Sequence, residues 1–224
     1  MAKPISIAID GPAGAGKSTI ARRLAKELGF YYVDTGAIYR TVAYFFDLWG
    51  VSPKDIDGIT RYIDELTIGI EYDDEGVQHM IMNGMDVTGD IRTPDLSQKA
   101  SLVSAHAIVR DLLLDMQREM AEKHNVIMDG RDIGTAVLPN APLKVYLTAS
   151  AHVRALRRWK ELTEKGQTAD LAKIEEDINE RDYQDMHREH SPLVQAEDAV
   201  LVDSSEMTID EVVEKILSLA RERM

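Results

Sequence analysis

The hydrophobic pattern of the chain alternates between short apolar runs and longer segments with helical spacing. Runs this short and this apolar are typical of parallel strands that are buried on both faces. Because helical segments separate them, the pattern predicts a three-layer α/β fold with a five-stranded parallel sheet and right-handed crossovers. The predicted strands lie at about 5–9, 31–34, 125–129, 143–147 and 199–203.

Residues 51–105 follow a different pattern, because short alternating segments replace the apolar runs. The strand-like segments are 67–72, 79–82 and 86–88, separated by turns at 73–76 and Asn83-Gly84. Such a series predicts a small antiparallel sheet. We therefore predict an inserted domain at 37–105 within a core domain made of 1–36 and 106–224. Two further helices are predicted, at about 94–104 and 107–123.

A break at Gly166-Gln167-Thr168 separates two predicted helices that follow the strand at 143–147. Both helices are rich in arginine, and the same stretch contains many acidic residues. One interpretation is a set of surface ion pairs, such as Arg181 with Asp185. The other is a helical lid at roughly 150–170 that brings positive charge onto transferring phosphates and excludes water. The helix–glycine–helix pattern favours the lid.

The glycine-rich stretch Gly11–Ser18 lies between the first predicted strand and a helix that ends at Gly29. Its sequence, GPAGAGKS, fits the phosphate-binding P-loop pattern G-x-x-x-x-G-K-[ST]. In such a loop successive backbone N–H groups point at a polyphosphate, and the helix N-terminus adds positive potential. Lys17 is then expected to reach the β- and γ-phosphates, and the Ser18 hydroxyl to ligate Mg²⁺. The stretch predicts a site for a nucleoside triphosphate.

The strand at 125–129 ends in Asp129-Gly130-Arg131-Asp132. Groups at the carboxyl ends of parallel strands face the ligand crevice of an open sheet. Asp129 is therefore a candidate to hold Mg²⁺ through water, and Arg131 a candidate to bridge phosphates. The alternative is that Arg131 and Asp132 only cap a loop. Beside a P-loop, the functional interpretation is favoured.

A second helix begins near Gly36, with Asp34 or Thr35 as its cap, and carries Arg40 in its second turn. An arginine near a helix N-terminus makes a second candidate anion site. The alternative is a solvated arginine on an amphipathic helix. The pattern alone leaves both open.

The composition of the chain limits the kinds of partner and compartment that are expected for the protein. The chain has 224 residues, a net charge of −13 and no cysteine. The negative charge argues against extended nucleic-acid binding, and the lack of cysteine excludes disulfides and thiolate metal sites. No apolar run approaches ~18 residues, so no membrane span is expected. The start of the chain lacks the pattern of a signal peptide, and a cytoplasmic location is the expectation.

Three classes of P-loop protein remain: a small-molecule kinase, a GTPase switch and a motor or regulatory ATPase. A GTPase should carry the guanine-reading sequence N-K-x-D, which does not occur in the chain. The chain is also short for a motor. Because arginines are spread over three segments, they suit a site for two polyanions, a donor and an acceptor. A kinase is the favoured class.

Four blocks of the sequence together resemble the bacterial cytidylate kinases. They are Gly11–Ser18, Asp34-Thr35-Gly36-Ala37-Ile38-Tyr39-Arg40, Asp129-Gly130-Arg131-Asp132-Ile133-Gly134-Thr135, and Glu180-Arg181-Asp182 with Asp185 and Arg188. The likeness runs over essentially the whole chain, including the insertion, which resembles the enlarged monophosphate-binding domain of that family. Thr35 departs from the common pattern, since many relatives have serine there.

The resemblance implies transfer of the γ-phosphoryl group of ATP to CMP or dCMP with Mg²⁺. Because the sequence shows no strong exposed apolar seam, a monomer is the expectation. Kinases for another acceptor, such as UMP, AMP or shikimate, and a nucleotide-hydrolysing switch are the alternatives. The implied catalytic residues are Lys17, Arg131, Arg188, Arg157 and Arg158. The implied ATP-binding residues are Gly11, Pro12, Ala13, Gly14, Ala15, Gly16, Lys17, Ser18, Thr19 and Arg157. The implied CMP-binding residues are Thr35, Arg40, Ser101, Arg110, Arg131, Asp132, Arg181, Asp185 and Arg188, and the implied metal-binding residues are Ser18 and, through water, Asp129.

Overall fold

The computed structural model describes residues 3–223. They divide into two compact units, one containing Tyr31–Val126 and the other combining Ile5–Phe30 with the chain from Ile127 onward. The strands in the described part are β1 (Ser6–Asp10), β2 (Tyr31–Asp34), β3 (Ile68–Tyr72), β4 (Gln78–Met82), β5 (Met85–Asp86), β6 (Val126–Gly130), β7 (Leu143–Thr148) and β8 (Val200–Asp203). The α-helices are α1 (Lys17–Leu28), α2 (Thr35–Leu48), α3 (Ile56–Tyr62), α4 (Pro94–Val103), α5 (Ala107–Lys123), α6 (Ala151–Glu164), α7 (Leu171–His187) and α8 (Ile209–Arg223).

The large sheet has the strand order β2-β6-β1-β7-β8. β7 pairs in parallel with β1 on one side and with β8 on the other, so that Ile9 lies opposite Val145 and Val145 opposite Val200. The inner residues of β1 and β6 are almost wholly inaccessible to water, which explains their apolar sequences, and Leu143, Val145 and Leu147 of β7 are equally buried. The predicted α/β fold with a five-stranded parallel sheet is confirmed.

The unit containing Tyr31–Val126 carries a second sheet of order β3-β4-β5. β4 is antiparallel to both of its neighbours, and Asn83, at φ 48°, makes the turn between β4 and β5. Helix α2 packs against α4 and buries Phe45 and Phe46. The predicted small antiparallel sheet is therefore present, although β5 is shorter than the pattern suggested.

The unit that contains the P-loop has two further features. A single π-helical turn, Ile133–Val137, follows β6 directly and was not predicted. The predicted helix break is confirmed, since α6 ends at Glu164 and α7 begins at Leu171, with Gly166 at φ 72° between them. None of the helices in residues 3–223 is both long and apolar enough to cross a membrane.

Candidate active site

The loop between β1 and α1 has the shape that its glycines predict. Gly16 is the residue before α1 and takes a left-handed conformation, φ 89°. A Cβ atom on Gly11 would stand 1.9 Å from the carbonyl oxygen of Leu147, so no larger residue fits where the loop leaves the sheet. The backbone thus turns tightly beside β7 and aims the N-terminus of α1 at the space above the sheet.

Lys17 is the first residue of α1, and its side chain is buried. The Nζ atom donates a hydrogen bond to the carbonyl oxygen of Pro12 at 2.8 Å. Burial, followed by the nearby charge of Arg131, lowers the pKa of Lys17 to about 7. An anionic phosphate at this amine would favour its charged form.

Ser18 and Asp129 meet at the carboxyl edge of the sheet. The Ser18 hydroxyl donates to Asp129 Oδ2 at 2.9 Å, although the residues are 111 positions apart. Asp129 lies at the end of β6 and is 5% exposed. A hydroxyl and a carboxylate are hard oxygen ligands of the kind that Mg²⁺ takes. The described residues contain no group of three or more His, Asp or Glu side chains that could hold a metal ion without a substrate.

The arginines predicted from the sequence meet aspartates in this unit. Arg131 Nε donates to Asp185 Oδ2 at 2.7 Å. Burial is the largest single influence and opposes the charge of both groups, but the ion pair, its hydrogen bond and neighbouring charges together outweigh it. The pKa of Arg131 is therefore raised and the pKa of Asp185 is lowered. Arg188 Nη2 lies 3.6 Å from Asp132 Oδ1, and both side chains are almost fully buried. The structure therefore brings together Arg131, Asp132, Asp185 and Arg188 in two charged pairs.

A cavity of about 690 Å³ opens beside the P-loop. Arg157 lies on its wall and donates to the carbonyl oxygen of Ser204 at 2.6 Å and to the Ser204 hydroxyl at 3.2 Å. Arg158 pairs with Glu161 in a more exposed position. The remaining lining includes Met207, Thr208, Ile209 and Val212, which the sequence analysis missed. Their only sequence signal was a helix-capping pattern, which says nothing of a ligand.

Asp10, at the end of β1, is a second residue that the sequence analysis missed. Its two carboxylate oxygens accept hydrogen bonds from the backbone N–H groups of Ile133 and Gly134, at 2.8 and 2.7 Å. Burial raises the pKa of Asp10 to about 6. The carboxylate thus holds the π-helical turn immediately after Asp132. An acid ending an apolar strand just before Gly11 was the available signal.

The unit containing Tyr31–Val126 carries the other predicted site residues. Asp34 caps α2 by accepting from the Ala37 N–H at 2.8 Å, and it pairs with Arg40 at 3.1 Å. Thr35 is buried in the first turn of α2, and Ser101 lies on α4. Arg110 donates to the Ser104 carbonyl at 3.3 Å, and its guanidinium carbon lies 5.7 Å from the centre of the Tyr39 ring.

A loop with the P-loop sequence, a serine–aspartate pair at its end and a set of arginines beside it are the features expected of a P-loop phosphotransferase. A family model described as cytidylate kinase matches residues 7–222. The chain belongs to the cytidylate kinase family, and it is an enzyme of the kinase class.

Individual relatives agree with this assignment. A cytidylate kinase of Ligilactobacillus salivarius (strain UCC118) is 48% identical over 223 residues, which cover 100% of this chain and 99% of that protein. A cytidylate kinase of Caldicellulosiruptor bescii is 49% identical over 217 residues, or 97% of this chain and 96% of that protein. An uncharacterized protein from Eubacterium ventriosum ATCC 27560, solved as a crystal structure, has a TM-score of 0.55 at 13% identity, with 99% and 100% of the two chains covered. That likeness concerns the fold alone.

Proposed function

We propose that the enzyme transfers the γ-phosphoryl group of ATP to CMP or dCMP, giving ADP and CDP or dCDP. One observation carries the chemistry: the Ser18 hydroxyl, next to the buried Lys17 of the P-loop, lies 2.9 Å from Asp129, two residues before Arg131. A lysine for the donor phosphates and an arginine for the acceptor phosphate are both needed where a phosphoryl group passes between two anions. The family to which the chain belongs supports the choice of acceptor.

The donor would bind through the backbone of Gly11–Thr19 and through Lys17. We assign Arg157, on the wall of the adjoining cavity, to the donor nucleotide. Together with Arg158 it would supply the positive charge of a lid at roughly 150–170. Positioning and charge neutralisation dominate phosphoryl transfer, so no residue need act as a strong base.

The metal proposed for this site is Mg²⁺. The Ser18 hydroxyl would bind it directly and Asp129 through water, and the observed 2.9 Å contact between them suits this arrangement. When bound, the ion would supply positive charge that offsets the negative charge of the donor phosphates. Before it binds, the hydrogen bond to Asp129 fixes the rotamer of Ser18.

For the acceptor, we assign residues by their chemistry. Arg131 and Arg188 would bind the acceptor phosphate, and so would Arg40. Asp132 would accept from the exocyclic amino group of cytosine, while Thr35, Ser101 and Arg110 would satisfy its remaining polar atoms. Arg181 and Asp185 would contact the sugar and the phosphate. Uracil would place a carbonyl against the Asp132 carboxylate, which is repulsive.

Three proposals concern the whole chain. Residues 37–105 would form the acceptor-binding domain, the protein would be a monomer, and it would act in the cytoplasm, where its nucleotide substrates are found. The absence of cysteine is compatible with a reducing compartment.

Release of ADP from Mg²⁺–ATP tests the proposal when it is measured with CMP, dCMP, UMP, AMP, shikimate or no acceptor. We expect release only with CMP and dCMP. Equal turnover of UMP would keep the kinase but remove the role of Asp132. Release of ADP that no acceptor changes would favour a nucleotide-hydrolysing switch.

A further inference from the structure

Arg154, in the first turn of α6, has no role in the proposed chemistry, yet it is more deeply buried than either Arg157 or Arg158. Its Nε donates to the carbonyl oxygen of Ala149 at 2.9 Å, and its Nη1 donates to the carbonyl oxygen of Ala13 at 2.9 Å. A Cβ atom on Gly14 would stand 3.4 Å from the Cβ atom of Arg154, so the arginine lies close beside the P-loop. One guanidinium therefore ties the end of β7 to the middle of the P-loop.

The remaining nitrogen of Arg154 reaches α7. Nη2 lies 2.6 Å from Asp182 Oδ2, in an ion pair with side chains 5% and 12% exposed. The other oxygen of this carboxylate, Oδ1, is buried and has no hydrogen-bond partner among the described residues. The ion pair with Arg154 therefore holds Asp182, and through Arg154 it connects α7 to the P-loop.

Helix α7 carries residues that the proposed function assigns to the acceptor. Asp182 stands one residue after Arg181 and three before Asp185, which itself holds Arg131 at 2.7 Å. A shift of α7 relative to the P-loop would therefore move the acceptor contacts relative to the donor phosphates. A misplacement of about 1 Å can reduce a rate about 100-fold when the reacting groups must be aligned.

We propose that Arg154 and Asp182 are positioning residues, which set α7 and its acceptor contacts against the phosphate-binding loop of the donor. The inference rests on the proposed function. Arg154 also lines the cavity beside the P-loop, but its guanidinium nitrogens are bonded to two backbone carbonyls and to Asp182, so both residues act through the segments that they join. Loss of either residue would misalign the reacting groups in the transition state and so lower kcat. Each substrate would still bind through its own contacts, so KM and Kd would change little.

The test compares Asp182→Ala and Asp182→Asn with the wild-type chain in CMP-dependent ADP release, with both substrates varied. Asparagine keeps an oxygen that accepts from Arg154, whereas alanine removes the link. We expect kcat to fall about 10- to 100-fold in Asp182→Ala and less in Asp182→Asn. The KM values and the Kd of β,γ-imido-ATP, measured by calorimetry, should change less than about threefold.

Asp177→Asn is the matched control, because it removes an aspartate of α7 that pairs with Lys173 at 3.1 Å on the exposed side of the helix. Its kcat should equal that of the wild type.

Two outcomes for Asp182→Ala would overturn the inference. A normal kcat with only a lower melting temperature would show that the pair is purely structural. Raised KM values at normal kcat would show that it has a binding role. If the alanine variant does not fold, the asparagine variant decides by the same criteria. Wild-type protein without CMP-dependent turnover would instead overturn the proposed function itself, and the inference with it.

Discussion

The charged residues beside the P-loop differ in what holds them. Three arginines face an aspartate each, whereas the Lys17 amine donates to a backbone carbonyl. The arginine pairs are Arg131–Asp185, Arg154–Asp182 and Arg188–Asp132. Removing one member of a buried pair leaves the other charge uncompensated, at a cost of about 3–5 kcal/mol. Lys17 forms no ion pair among the described residues, although the charges of Asp129, Asp10 and Asp185 favour its protonated form.

We predict that Lys17→Met lowers kcat about 100-fold or more, because a preorganised donor to the transferring phosphate is lost. Steady-state ADP release with CMP measures the effect. Lys26→Met, on the exposed face of the same helix, is the control and should retain full activity. Near-normal turnover of the Lys17 variant would remove the P-loop assignment.

Asp132→Asn tests recognition of the base. The amide can donate to the carbonyl of uracil, which the carboxylate repels, so the preference for CMP over UMP should fall about tenfold or more. The ratio of kcat/KM for the two acceptors is the quantity to measure. Asp210→Asn, at an exposed ion pair with Arg23, is a control that should keep the ratio. An unchanged ratio in the Asp132 variant would exclude this residue from reading cytosine.

Asp10 makes stability depend on pH. Because its pKa is raised from 3.8 to about 6 in the folded protein, the folded state binds the proton more tightly than the unfolded chain does. The resulting stabilisation is complete below pH 3.8 and disappears as the pH rises through 6. Between pH 4.5 and pH 7 the wild type should therefore lose about 2 kcal/mol of unfolding free energy relative to Asp10→Asn. Urea unfolding of both proteins measures this difference, and parallel pH profiles would contradict the prediction.

At the start of helix α2, one residue, Asp34, is both the N-cap of the helix and the ion-pair partner of Arg40, the candidate anion-binding residue. Asp34 accepts from the Ala37 N–H and also holds Arg40. Asp34→Ala should lower the free energy of unfolding by about 1 kcal/mol, because the first turn loses its cap. Asp34→Ser keeps a capping oxygen and loses the ion pair, so it should retain most of the stability. Equal losses in the two variants, measured by urea unfolding, would show that the ion pair matters more than the cap.

Helices α6 and α7 show how far an element can be inferred from pattern. The glycine at 166 and the arginines before it indicated two helices with a break, and this is confirmed. The same residues suggested a lid, which stays a prediction. An ion-pair pattern and a lid use the same residue types, so the sequence could not distinguish them.

At the scale of the whole molecule, we predict that the protein is a monomer in solution. The net charge of −13 disfavours self-association at low salt. Sedimentation equilibrium should give a mass near 25.1 kDa across protein concentrations. A mass that doubles with concentration would contradict a monomer. The domain boundaries predicted at 37 and 105 also stay a prediction, while the contacts within the chain separate units at Tyr31 and Val126.

The sequence by itself determined the order and type of nearly every element, because hydrophobic period, glycine positions and helix caps act between near neighbours in the chain. It also identified the P-loop, whose residues are consecutive. Only the tertiary structure revealed Asp10, whose partners lie 123 and 124 positions away, and the anchoring of Arg154, whose partner Ala13 lies 141 positions away. A local sequence pattern cannot indicate contacts between residues that lie so far apart in the chain. The order in which the strands pair in the sheet decides which strand ends lie side by side, and therefore which buried charged residues hold the site in place.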